Sequence, residues 1–163
     1  MGISCDYFVA EDDAEAARAA TWAGGPSKPS AATRGFFRKR VVSPVPAALS
    51  TVELPGLEPV VVMATLEELL TGASVDEVLE ANAAAQVGEG EHAVVFRLRQ
   101  ELTGALAGAS AERLRDVAGP WSRTEELIGS ADPEDLVSAL LRLAALAQSA
   151  ERAGGRVYCW LAI

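Results

Sequence analysis

Ser130-Ala131-Asp132-Pro133-Glu134-Asp135 begins, and Gly154-Gly155 followed by Val157-Tyr158-Cys159-Trp160-Leu161-Ala162-Ile163 ends, the stretch from which the fold is read. Asp132 has the side chain to cap free N–H groups. Pro133 sits where its missing N–H costs little, and Glu134 and Asp135 face the positive end of a helix dipole. Leu136, Leu140, Leu141, Leu143, Leu146 and Ala147 recur at helical spacing, so the segment reads as one long helix. The paired glycines stop it. The seven residues from Val157 are too apolar for a solvated tail and read as a buried strand that closes the core.

Working outward, the other end of the chain supplies a partner. Residues Ile3 to Ala10 read as a first strand, because Tyr7, Phe8 and Val9 favour one and Cys5 suits a buried site. Asp6 is the odd member, a carboxylate among apolar neighbours, expected at an edge or solvent-facing position or at the rim of a pocket. Glu11 to Ala20 is a short helix. The expected fold is α+β: a small mixed sheet including the N- and C-terminal strands, covered by helices on one side. At 163 residues the chain fits one domain, 1–163, able to bury roughly 70% of its unfolded surface.

Between these ends the reading is less even. Thr51-Val52-Glu53-Leu54 is a short strand, and three β-branched residues make Val60-Val61-Val62-Met63 a buried strand. Thr65 with Glu68, and Ser74 with Glu77, have capping-box spacing and open two helices. Ala83 to Glu91 reads as a helix end and a loop. His92 to Leu98 reads as a strand to about Phe96 or as the opening of a helix through Leu102 and Leu106; the β-prone Val94-Val95-Phe96 favours the strand, with Gln100 to Ala107 a helix and Ser110 capping the next. Gly119-Pro120 interrupts that helix, and Trp121 to Ile128 adds a turn or two.

Charge divides the chain. Its net charge is −9, yet the stretch between Ala19 and Thr51 holds Lys28, Arg34, Arg38, Lys39 and Arg40 and no acid. The loop-rich basic segment, about 24–50, is rich in Pro, Ser, Gly and Ala, and Gly35 to Val42 is an imperfect strand within it. The segment reads first as a solvated loop neutralised by its own acidic domain; the alternative is that it binds an acidic partner or a phosphate group, with Arg34, Arg38, Lys39 and Arg40 as candidate partner-binding residues and another protein as the partner. An acidic body argues against nucleic acid, because phosphate binding needs a positive surface. No stretch approaches the ~20 apolar residues of a membrane span, and no signal-peptide pattern precedes Cys5. Cys5 and Cys159 read as free buried thiols in a reducing cytoplasm, with a disulfide joining the two ends as the alternative.

Catalytic signatures are sparse. Neither a Walker loop, a dinucleotide glycine fingerprint, a Cys-x-x-Cys pair nor a Gly-x-Ser-x-Gly elbow occurs. One histidine and two separated cysteines make a zinc site of the usual ligands unexpected, and no cofactor is expected. His92 is the side chain that titrates near neutrality, and an exposed loop is its expected place. Trp22 and Trp121 read first as core residues; each also adjoins a Gly/Pro break, where an aromatic ring can line a cleft, with Glu125 and Glu126 about one turn beyond Trp121. A carboxylate against such a wall has a raised pKa and can act as an acid or base. Asp6 with Glu125 is the candidate catalytic pair. Trp22, Trp121 and Glu126 are the candidate ligand-binding residues. Two classes remain: a non-catalytic cytoplasmic binding or protein-interaction module, and a small enzyme or ligand-binding protein with a carboxylate–tryptophan cleft.

Three segments carry a family resemblance. Met1-Gly2 followed by Tyr7-Phe8, the helix Leu66-Glu67-Glu68-Leu69-Leu70-Thr71-Gly72, and the long helix, glycine break and apolar strand of Asp132 to Ile163 resemble the YfbM-like proteins of bacteria. The resemblance covers about a third of the chain and none of the basic segment. The family's helix usually bears a Trp upstream and a His after its first Leu, and Val62 to Glu68 has neither. The resemblance implies a compact α+β domain with both termini in one sheet. It implies no activity, cofactor or catalytic residue.

Overall fold

Two strands from opposite ends of the chain lie side by side over their whole length. The computed structural model describes residues 2–29 and 47–163. In chain order the described elements are β1 (Ser4–Ala10), α1 (Asp13–Ala19), β2 (Thr51–Glu53), α2 (Val61–Thr71), α3 (Val75–Ala83), β3 (Gln86–Glu89), β4 (Ala93–Arg97), α4 (Gln100–Gly108), α5 (Ala111–Ser122), α6 (Pro133–Ala153) and β5 (Arg156–Ala162). The sheet order is β2-β1-β5-β4-β3. β1 and β5 pair from Ser4 opposite Ala162 to Ala10 opposite Arg156. The fold is α+β, with both terminal strands in one sheet, as expected. The sheet is antiparallel at every pairing instead of mixed.

Strand alternation sends the side chains of β1 and β5 to two cores. Cys5, Tyr7, Val157 and Cys159 join the larger one with residues of α2, α4, α5 and α6. Phe8, Ala10, Tyr158 and Trp160 join the smaller one with Ala16, Ala19 and Trp22. Helices therefore cover both faces, where one covered face was expected. The reason lies in β5, which is apolar at successive positions and so needs cover on each side.

α6 forms as its sequence dictates. The Asp132 carboxylate accepts from the Glu134 N–H at 2.8 Å, Pro133 occupies the first turn, and Gly154 takes φ +68° at the end. Leu136, Leu140, Leu143, Leu146 and Ala147 are buried, whereas Leu141 turns outward.

Elsewhere tertiary contacts override local preference. Val60 to Met63 is not a strand: α2 starts at Val61. The Glu58 carboxylate accepts the N–H groups of Val60, Val61 and Val62 at 2.9, 2.6 and 2.5 Å, which satisfies the helix start from upstream. Val62, Met63 and Leu66 then bury on one helical face, a gain larger than the modest cost of β-branched residues in a helix. Thr65 consequently lies inside that helix and opens none. Its hydroxyl donates to the Val62 carbonyl. Ser74 precedes α3, but its side chain makes no capping bond, whereas the Ser110 hydroxyl accepts from Arg113 N–H as expected. The expected loop from Ala83 to Glu91 contains β3, which pairs with β4 through an irregular register between Gln86 and Gly88. Gly119-Pro120 does not interrupt α5, which runs on to Ser122. Pro120 falls in its last turn, and burial of Val117, Ala118 and Trp121 carries the helix past it. The strand expected within Gly35 to Val42 lies outside the described residues.

Candidate functional site

The candidates read from sequence are dispersed. Asp6 is on β1, an interior strand, and not at an edge. It stands opposite Trp160 on β5, on the face of the smaller core. Its carboxylate and the Trp160 ring both lie against Gly25, where an added Cβ would sit 2.9 Å from Asp6 Oδ2 and 3.6 Å from Trp160 Cε3. Burial pushes the Asp6 carboxyl up. Glu53 adds to the rise, and Lys28 opposes it.

Trp121 lies on the other side. It is fully buried in the larger core, its indole N–H shared between the Val62 carbonyl at 3.3 Å and Thr65 Oγ1 at 3.2 Å. Glu125 and Glu126 are exposed in the turns beyond it. The sheet thus separates Asp6 from Trp121, and the expected Asp6–Glu125 pair is not assembled. Alternation explains this: Asp6 points opposite to Cys5 and Tyr7, the β1 residues that share a core with Trp121. Trp22 is buried with Phe8, Tyr158 and Trp160 instead of lining an open cleft. His92 is exposed between β3 and β4, 3.9 Å from the Glu91 carboxylate. Arg34, Arg38, Lys39 and Arg40 lie outside the described residues.

Cys5 and Cys159 are free and buried on one face of the sheet, diagonal neighbours across β1 and β5. Burial pushes the Cys159 thiol well up, so it is held protonated and unreactive.

The residues the structure does bring together are arginines. At the last residue of β4, just before α4 and at the start of β5, Arg97, Arg99 and Arg156 line a cavity of about 250 Å³ with Leu98, Gln100 and Glu101. A second cavity of about 230 Å³ adjoins it, sharing Leu98, Gln100 and Arg156 and lined also by Glu151.

Each arginine is held differently. Arg97 donates to Asp13 Oδ2 at 2.6 Å, and the other oxygen of that carboxylate accepts from the Tyr158 hydroxyl at 2.8 Å. Burial and this bond push the Tyr158 phenol up. Arg99 donates from Nε to Glu67 Oε1 at 3.0 Å. Its NH2 group lies 3.8 Å from Glu101. Arg156 is exposed and has no carboxylate within ion-pair distance among the described residues.

Glu67 anchors this arrangement from behind. Its side chain is fully buried in α2, and Oε2 has no hydrogen-bond partner among the described residues. Burial pushes its carboxyl up against the pull of Arg99. None of these residues was a candidate by sequence. Arg97-Leu98-Arg99 after an apolar strand was a visible signal. Glu67 gave none, because its burial depends on how α4 packs against α2.

Guanidinium groups stay protonated at any physiological pH and present forked donors that match a carboxylate or phosphate. The cleft therefore holds donors that can pair with an oxyanion. No known protein family, curated protein or solved structure matches this chain.

Proposed function

We propose that this chain is a non-catalytic, cytoplasmic protein-interaction module that docks a protein partner at the arginine-lined cleft. The observation that carries the reading is the convergence of Arg97, Arg99 and Arg156 on one concave site of a chain with net charge −9. An acid-rich surface repels acidic segments generally, and a cleft that presents the exposed Arg156 beside two further arginines selects where one can land. The free thiols support the cytoplasmic placement, since disulfides are rare in a reducing compartment.

The basic run Arg34, Arg38, Lys39 and Arg40 supports a second docking element, on its charge alone. The enzymatic alternative retains the Asp6–Trp160 contact as its basis, without His92 or Glu125 beside it.

Affinity capture from the native host distinguishes these readings. The tagged full chain is compared with Arg156→Glu, Arg115→Glu and a deletion of residues 26–40. Loss of the same specific partner with Arg156→Glu, but not with Arg115→Glu, is the expected result. An unchanged partner list with Arg156→Glu removes the cleft as the dock. Loss only on deletion assigns docking to the basic segment.

A further inference from the structure

Resting on the reading of the cleft as a binding site, we infer that it takes a single oxyanion group, a carboxylate or a phosphate monoester, gripped between Arg99 and Arg156. Size is the first argument. Pockets for drug-sized ligands occupy roughly 300–1,000 Å³, and the cavity at Arg99 is about 250 Å³. It admits the head of a side chain, not a nucleotide.

Charge is the second. Arg97 is matched by Asp13 at 2.6 Å, and Arg99 by the buried Glu67 at 3.0 Å. Glu101 is the weak member: it is 3.8 Å from Arg99 and its side chain is 63% exposed. Such a contact contributes little and swings into solvent at small cost. With Glu101 displaced, Arg156 leaves one uncompensated positive charge in this cavity, Glu151 lining only the adjoining one, which suits one anionic group and not a polyanion.

The third argument is presentation. Glu67 engages Arg99 through Nε, and among the described residues its terminal nitrogens have only Glu101, 3.8 Å from Nη2. A planar group held at one edge offers the other as a two-pronged donor. Arg156, without an ion-pair partner among the described residues, lies on the same cavity and would close on the second side of the anion.

The test titrates the full chain, labelled with ¹⁵N, with inorganic phosphate, with acetate, and with chloride at matched ionic strength. The amides of Gln100, Glu101 and Arg156 are expected to shift saturably, in the millimolar range, with phosphate or acetate and not with chloride. The stronger of the two anions names the source. Arg156→Gln is expected to weaken binding about fivefold or more, Arg156→Lys to retain most of it, and Arg115→Gln to stay within about twofold. Arg156 and Arg115 are both exposed, so these variants leave the core untouched. The absence of saturation with both oxyanions overturns the inference, as does equal affinity in Arg156→Gln or an equal response to chloride. If partner capture still depends on Arg156 in that event, the docking reading stands and the ligand class falls. If an oxyanion binds while capture ignores Arg156, the reverse holds.

Discussion

Glu67 shows how little a single residue's identity says about its place. Leu66 beside it and Leu70 three residues on belong to an apolar stripe, yet Glu67 is itself sealed in, because Arg99 reaches it from the start of α4. Removing one member of a buried pair strands the other charge in a poorly solvated site. Arg99→Ala should therefore destabilise the fold by about 3–5 kcal/mol, read by urea unfolding at neutral pH. Replacing both residues with methionine should recover most of the loss, because no charge is left unpaired. Asp6 makes a second prediction at this scale. Its folded pKa is raised above the ordinary 3.8, chiefly by burial. Such a group favours folding when protonated, and that contribution is lost as pH rises through its folded pKa. At pH 7, Asp6→Asn should unfold at a higher urea concentration than the parent. The difference should shrink as pH falls through the raised folded pKa, where the parent carboxyl gains its proton as well. A difference that grows on acidification would contradict the burial argument.

At the scale of elements, the helix-to-sheet contacts depend on where glycine stands. β3 and the turn after it press against α1 and the residues just beyond that helix. A Cβ at Gly88 would come within 2.7 Å of Ala17 Cα, and one at Gly90 within 2.0 Å of the Ala20 carbonyl oxygen. Gly90→Ala should cost about 2–3 kcal/mol, because the obstacle is backbone and cannot rotate aside. Gly104, in α4, has nothing within 4 Å of an added Cβ. Gly104→Ala should stabilise by about 0.5–1 kcal/mol through helix propensity. Thermal melts of the two variants check both signs. The same scale explains the misread elements. α2 begins with β-branched residues, but Glu58 satisfies its first N–H groups and one apolar face buries, and both effects are stronger than local preference. β3 carries Gly88 and has no strand signal of its own; pairing with β4 makes it a strand.

For the whole molecule, β5 is the central strand of the sheet, with β1 on one side and β4 on the other. Deleting residues 156–163 should abolish cooperative folding, seen as loss of near-UV circular dichroism, since both cores lose their shared wall. That dependence was legible in the sequence: the cap at Asp132, the helical stripe, the glycine stop and the apolar run after it need no neighbour to be recognised. The opening strand was legible for the same reason, through Tyr7 and Phe8 beside Cys5. The candidate site was not. Asp6, Trp121 and Glu125 fit as a trio on paper, but strand alternation puts Asp6 and Trp121 on opposite faces. The arginines of the cleft lie up to 59 positions apart in the chain and meet because β4 and β5 are paired, with Arg97 opposite Tyr158. What the amino-acid order determined alone is local: caps, periodicity and burial tendency act over a few residues. What only the tertiary structure decided is which face each strand residue takes, that Glu67 is buried, and that three like charges share one cavity. Those follow from pairing register and packing between distant segments, which short-range rules do not encode.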